Sequence, residues 1–325
     1  MRDISILREA LPYIRRHHGR RFVVKLGGGL IDEPKTLSRI CEDIVLLHLV
    51  GVRVAVVHGG GPQADVLSER LGAKPQKVLG RRVTDEPALD VAKMVFAGKT
   101  NIELLSHLRH AGGQAVGLSG VDGGMILASR RPVQTVRDPD SGQMHEVDYG
   151  LVGDIERFNP TLVADLVEKG YIPVLAPLAA DDQGQILNIN ADTVACSLAV
   201  ALAAEKVILL SEVRGLILGG RVVSTLSVTD TVGALAGPEV RDGMRPKLEA
   251  CLYAVRNGIP RAHLLSGEDP NALLLEMFTS SGTGTMILAP EEESRYRREL
   301  ERAREAALLS APAAEGNAAS ASGIP

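Results

Sequence analysis

The chain has 325 residues, 45% of them hydrophobic, and 36 basic against 40 acidic side chains give a formal charge of -4. That suffices to bury a large core, as one domain or two lobes, and offers no general attraction to nucleic acid or membrane. Aromatics are 3% with no tryptophan, which argues against base-stacking platforms, and three well-separated cysteines, Cys41, Cys196 and Cys251, argue against a disulfide framework or a cysteine zinc site and read as buried thiols of a cytoplasmic protein.

Ile4, Leu7, Leu11 and Ile14 recur at helical spacing, so residues 3–17 read as an amphipathic helix kinked by Pro12. The first residues lack the apolar core of a secretory leader, and no apolar run reaches the ~18 residues that span a bilayer. The helix precedes the first core strand, so it either packs on its own domain or is lent to another subunit. Residues 21–26 form that strand, within Phe22-Val23-Val24-Lys25-Leu26-Gly27-Gly28-Gly29. A helix over 34–49 follows, with Leu37, Ile40, Ile44 and Leu47 on one face. Residues 52–57 are the second strand, and Val54-Ala55-Val56-Val57-His58-Gly59-Gly60-Gly61-Pro62 runs from it through bare glycines into a helix. Such a junction is either an anion site made of backbone N–H groups or an ordinary tight turn. The repeat of the design, with Lys25 at a strand end, favours a phosphorylated ligand. Neither loop has the GxxxxGK[ST] or GxGxxG spacing.

This βαβα rhythm predicts a mainly parallel sheet with helices on both faces, and ligands beyond the carboxyl ends of its strands. Gly80-Arg81-Arg82-Val83-Thr84-Asp85 is a polar link to a helix over 87–111. A strand over 115–118, a ribbon over 125–152 turning at residues 138–142, a helix over 160–169 and a strand over 172–176 follow. Asp192, in Asn188-Ile189-Asn190-Ala191-Asp192, is placed as N-cap of a helix over 193–204. A strand over 207–210 ends at Ser211-Glu212, and Asp242-Gly243-Met244-Arg245-Pro246-Lys247 opens another helix. Residues 262–265 and 286–288 are the last strands, around a helix over 270–278. The Glu/Arg-rich stretch 290–309 reads as a solvated helix with i,i+4 ion pairs, and the Ala/Ser/Gly/Pro tail 311–325 as disordered.

Lys25-Leu26-Gly27-Gly28, His58-Gly59-Gly60-Gly61-Pro62, Arg82-Val83-Thr84-Asp85, Gly153-Asp154-Ile155, Asn188-Ile189-Asn190-Ala191-Asp192 and Gly243-Met244-Arg245-Pro246-Lys247 stand in an order that resembles the amino acid kinase family, from about Arg21 to Leu288. The resemblance implies an open αβα sandwich, with an oligomerisation helix in 1–20, an acyl amino acid lobe over 21–180, an ATP lobe over 181–290 and a charged extension over 291–325. It implies transfer of the γ-phosphoryl group of MgATP to the side-chain carboxylate of N-acetyl-L-glutamate, with Mg2+ held mainly by the nucleotide and no protein metal site. Lys25 and Lys247 would touch the migrating group, Asp192 would orient them, and Gly27 and Gly28 would offer backbone donors. Gly60 and Gly61 would line the acyl site, Arg82 would grip the α-carboxylate, and Asn188 would hydrogen-bond the acceptor. His58 has no partner at metal spacing and reads as structural, since a carboxylate nucleophile needs no base. The resemblance implies that His263, Glu276 and Gly282 lie at the spacing of the positions that bind inhibitory L-arginine in hexameric members, built as trimers of dimers, with Tyr13 closing that pocket from the N-terminal helix.

The chain departs from the family pattern at Ser211-Glu212, Asp242 and Arg81. Arg81 keeps open a related acceptor such as carrier-linked aminoadipate. A non-catalytic amino-acid sensor is a further reading, against which Lys25, Asp192 and Lys247 argue.

Overall fold

The computed structural model describes residues 2–78, 81–137, 143–241, 243–279 and 282–310. The turn at 138–142, Asp242, the side chain of Arg81 and the tail 311–325 lie outside the described part.

The chain opens with helix α1 (Arg2–His17), which runs through Pro12, then strand β1 (Arg21–Leu26), a short helix α2 (Gly28–Asp32), α3 (Pro34–Leu49), β2 (Arg53–His58) and α4 (Gly61–Arg70). A small hairpin, β3 (Lys77–Val78) and β4 (Arg81–Arg82), leads to α5 (Glu86–Ala92), a π-helical segment (Lys93–Thr100) and α6 (Asn101–His110). Then come β5 (Ala115–Ser119), β6 (Ile126–Arg130), β7 (Gln134–Arg137), β8 (Met144–Val147), β9 (Gly153–Phe158), α7 (Thr161–Glu168), β10 (Ile172–Ala176) and the hairpin β11 (Leu178–Ala180) and β12 (Ile186–Asn188). The remainder is α8 (Ala191–Ala201), β13 (Lys206–Ser211), β14 (Ile217–Leu218), β15 (Arg221–Val222), β16 (Thr225–Leu226), α9 (Val228–Ala236), α10 (Met244–Arg256), β17 (Arg261–Ser266), α11 (Ala272–Phe278), β18 (Thr285–Leu288) and α12 (Pro290–Ser310).

The main sheet has eight strands in the order β16-β18-β17-β13-β1-β2-β10-β5. Neighbours are parallel except β17 and β18. Parallel strands covered on both faces need apolar residues on both, and β1, β2 and β13 are such continuous runs. Val23, Ala55, Val57, Val207 and Leu209 face a core completed by α7, α8 and α10. Phe22, Val24, Val54, Val56, Ile208 and Leu210 face the opposite core, completed by α3, α6 and α11. Each fully buried Val, Leu, Ile or Phe side chain among them contributes about 1.5–3 kcal/mol. The result is an open αβα sandwich with a mainly parallel sheet. A second sheet has the order β12-β11-β6-β9, and its strand β11 follows directly on the carboxyl end of β10.

Several local readings shift. Asp192 is not the N-cap of α8: the Asn190 side chain accepts from the N–H groups of Asp192 and Thr193, at 2.9 and 3.1 Å, which places Asp192 inside the first turn. The first glycine loop is not bare, because α2 begins at Gly28. The segment 87–111 is helical throughout but carries a π segment in its middle. Helix α12 is more than solvated: Arg261, 6% exposed on β17, holds Glu292 at 2.9 Å and Glu299 at 3.0 Å, and Arg16 of α1 reaches Glu299 at 2.6 Å. All three cysteines are buried free thiols. Among the described residues, no helix is long and apolar enough to cross a membrane.

Candidate active site

Adjacent parallel strands β1 and β2 end side by side, so the two glycine loops meet. They pack closely enough that a Cβ at Gly28 would stand 2.7 Å from Pro62 Cδ and 3.2 Å from the Gly61 nitrogen. No side chain fits at Gly28, so the approach of the two loops requires glycine there. Lys25 shares the sheet face of Val23 and therefore points toward α8. Helices α8 and α10 pack on each other with their first turns side by side. Asp192 stands in one first turn and Lys247 in the other.

The three side chains converge. Lys25 Nζ lies 2.8 Å from Asp192 Oδ1, and Lys247 Nζ lies 3.1 Å from Oδ2. Lys25 and Asp192 are 5% and 4% exposed, so both charges have left water. Burial pulls the Lys25 pKa below that of a free lysine, with Asp192 opposing the shift. Burial alone would raise the Asp192 carboxyl, but the two ammonium groups outweigh it and hold the group below the ordinary carboxylate range. One buried carboxylate thus fixes two ammonium groups, one from a strand and one from a helix. Their excess positive charge, with the amino ends of α4, α8 and α10 alongside, faces a cleft of about 650 Å3.

Gly28, Gly60, Gly61, Arg82 and Asn188 line the same cleft. Gly27 does not: its N–H donates to the Leu210 carbonyl at 2.8 Å and prolongs the ladder between β1 and β13, so it has no donor left for a ligand. Arg82 donates to the Gly61 carbonyl at 2.9 Å and to the Asp65 carboxylate. Asn188 donates to Thr84 Oγ1 at 3.2 Å. Asp65 is one turn beyond Gly61 on α4, a spacing that could have flagged it. Arg131 also lines the cleft, held by Asp154 through Nε at 3.1 Å and lying over the Tyr149 ring at 5.9 Å. Asp154 belongs to a quoted motif, whereas Arg131 carried no signal because its partner is 23 residues away. Glu212 lies against Gly29, where any Cβ would overlap its carboxylate, and its charge reaches Lys25. Among the described residues no cluster of His, Cys, Asp and Glu could hold a metal ion.

At the amino ends of β13 and β17 a second, much smaller cavity of about 70 Å3 is lined by Tyr13, His263, Glu276 and Gly282 together. Glu276 is already engaged, accepting from the Thr283 N–H at 2.8 Å and lying 2.8 Å from His263 Nδ1. Lys206, Arg16 and Arg261 also line it, unmarked by any motif. Burial, with Arg261 nearby, brings the Lys206 pKa down to about 7, and burial, with Lys206 nearby, brings His263 to about 4.

The model of the amino acid kinase family matches residues 20–266. The chain belongs to the amino acid kinase family. Among relatives of this kinase family, an acetylglutamate kinase of Myxococcus xanthus (strain DK1622) is 45% identical over 293 residues, covering 87% of this chain and 94% of that protein. An acetylglutamate kinase of Methanocorpusculum labreanum is 44% identical over 287 residues, covering 88% and 97%. Among solved structures, N-acetylglutamate synthase from Neisseria gonorrhoeae, complexed with coenzyme A and L-arginine, aligns with a TM-score of 0.74 at 26% identity over 88% of this chain. The chain spans 65% of the synthase's length.

Proposed function

We propose that this kinase transfers the γ-phosphoryl group of MgATP to the side-chain carboxylate of N-acetyl-L-glutamate, the acyl amino acid bound by the 21–180 lobe and the nucleotide by the 181–290 lobe. The carrying observation is the Lys25–Asp192–Lys247 bridge, which brings an ammonium group from β1 and another from α10 to one carboxylate. Phosphoryl transfer needs positioning and charge neutralisation more than covalent work. Donor and acceptor are both anions, and the lysines offset their repulsion while Asp192 keeps the ammonium groups apart and aimed. The N–H groups of Gly28, Gly60 and Gly61 add donors that need no reorganisation. The carboxylate attacks directly, so no general base is required. The Mg2+ travels on the nucleotide phosphates. Similarity to acetylglutamate kinases over most of the chain supports the choice of acceptor.

The deciding experiment is a coupled ADP-release assay over a panel of acylated acidic amino acids. Turnover with carrier-linked aminoadipate but not with N-acetyl-L-glutamate would replace the acceptor. Intact ligand binding with no ATP turnover would make the chain a sensor.

Arg82 is the residue chosen to grip the α-carboxylate, with a fork suited to that geometry. Arg82→Lys loses the bidentate contact. It is expected to raise the apparent KM for N-acetyl-L-glutamate about tenfold or more, a loss of about 1.4 kcal/mol, with little change for ATP. An effect confined to ATP would move Arg82 out of the acceptor site.

The convergence of Tyr13, His263, Glu276 and Gly282 supports feedback inhibition by L-arginine, as does the synthase solved with L-arginine. Glu276 would exchange His263 for the incoming guanidinium, and the cavity would have to widen. Leu11 of α1 is 42% exposed, which suits a helix shared between dimers of a hexamer. Light scattering and rate against L-arginine, for the full chain and one starting at Arg20, test both claims. A hexamer inhibited by arginine and a smaller, insensitive truncated form are expected. A full-length dimer indifferent to millimolar arginine would overturn the reading.

A further inference from the structure

The second glycine loop rests on a buried assembly that the reaction scheme leaves unused. His58 ends β2 with no exposed surface. Its Nδ1 lies 2.8 Å from the Gly59 carbonyl oxygen. A carbonyl only accepts, so Nδ1 carries the ring proton and Nε2 keeps a lone pair. The Asn101 side-chain nitrogen lies 3.1 Å from that Nε2 and 3.0 Å from the Val174 carbonyl oxygen. Both hydrogens of the Asn101 amide are thereby donated, one to the ring and one to β10. Its oxygen fills the place a side chain at 117 would need, since a Cβ on Gly117 would stand 2.1 Å from it. One amide, 3% exposed, therefore bonds to β2 and β10 and packs against β5, their neighbour in the sheet. Burial pushes the His58 pKa down to about 4, so the ring stays neutral near pH 7 and Nε2 remains an acceptor.

The π segment explains how one helix reaches this spot twice. A π turn inserts a residue into the helical ladder and shifts the facing of everything after it. Phe96, inside the segment, packs so close that a Cβ on Gly60 would stand 2.5 Å from its ring. Asn101, the first residue after the segment, reaches the ring of His58. The same irregular helix thus presses on Gly60 from the cleft side and braces Gly59 from beneath.

We propose that Asn101 is a positioning residue for phosphoryl transfer: by setting the tautomer of His58 it holds the Gly59 carbonyl, and so aims the N–H groups of Gly60 and Gly61 at the acceptor carboxylate. This rests on the acceptor assignment made above. Asn101 does not touch the reacting atoms. Without its donated hydrogen, the Nε2–H tautomer becomes accessible, Nδ1 turns a lone pair toward the Gly59 carbonyl, and the peptide is free to rotate.

The test has two parts. In the wild-type protein with 15N-labelled histidine, the ring-nitrogen NMR spectrum should show His58 as the Nδ1–H tautomer across neutral pH; the Nε2–H form would overturn the proposal whatever the variants do. In steady-state kinetics, Asn101→Leu should lower kcat/KM for N-acetyl-L-glutamate about 10- to 100-fold, the scale of a small misplacement, with KM for ATP within about twofold of wild type. Asn101→Asp presents an acceptor to Nε2, so its activity should recover on acidification as the ring takes a second proton, a limb absent from the wild-type profile. Unchanged acceptor kinetics, or a loss shared equally by both substrates without acid recovery in Asn101→Asp, would refute the positioning role. Wild-type protein that fails to turn over N-acetyl-L-glutamate would refute the acceptor assignment and the proposal with it, whereas normal wild-type turnover with unaffected variants refutes the proposal alone.

Discussion

Lys25→Ala and Lys247→Ala are each expected to lower kcat by a factor of about 10^2–10^3 or more, the loss typical of removing one preorganised donor from developing charge. The two should differ in stability. Lys25 is 5% exposed, while the Lys247 side chain keeps 17% of its surface. Lys247→Ala should cost less stability than Lys25→Ala, because the less buried of the two cations leaves and Lys25 still neutralises Asp192. Lys25→Ala opens space inside β1 and leaves Asp192 with one partner, so it should lose stability as well as rate. Single-turnover rates with saturating substrates, beside thermal melts of both variants, would decide. Near-normal turnover in either would remove that lysine from the chemistry.

Asp192→Ala should be the most damaging single change in the chain. It strips Lys25 of its carboxylate in a site sealed from water, and orphaning one member of a buried pair costs about 3–5 kcal/mol. It also releases both ammonium groups from their fixed separation, so surviving protein should turn over as poorly as the lysine variants. Asp192→Asn keeps the volume and gives a sharper readout. Burial already depresses the Lys25 pKa, and the attraction of Asp192 is what chiefly opposes it. Without that charge the folded state binds its lysine proton more weakly still than the unfolded state does. Stability of Asp192→Asn should therefore rise with pH from the depressed folded pKa of Lys25 up to the unfolded value of about 10.4. In the wild type, Asp192 itself is held below its unfolded pKa, so its contribution is present above about pH 3.9 and fades as pH falls through the lower folded value. Urea denaturation across pH would show both slopes, and a flat alkaline limb in Asp192→Asn would mean that Lys25 is better solvated than its packing indicates.

The strands of the central sheet were legible because each is an apolar run long enough to be covered on both faces; β10 and α3 match residue for residue. The cleft was legible too, since its glycines and lysines sit at strand ends and helix starts, where short-range pattern carries the information. What escaped depends on distant partners. Asn190 and Asp192 are equally good caps on paper, and the pull of two lysines from other elements decides between them. Arg131 acquires meaning only through Asp154 and Tyr149, and Gly27 loses its donor only because β13 lies alongside. The π segment within 93–100 escaped because Gly98, Val95 and Thr100 weaken helix propensity there without specifying a π turn.

The ladder between β1 and β13 bears on how the cleft opens. Phe22 through Leu26 pair in unbroken register with Lys206 through Leu210, and the Gly27 N–H adds a rung at the cleft end. The segments proposed to bind acceptor and donor are therefore joined by a laminated plate, with no slack strap between them on which to swing. Such a plate yields to torsion far more readily than to shear or fracture, since twisting spreads a small angular change over many rungs and breaks none. A change in the angle between the two segments is therefore accommodated more readily as a twist of the sheet than as a slide of β1 along β13.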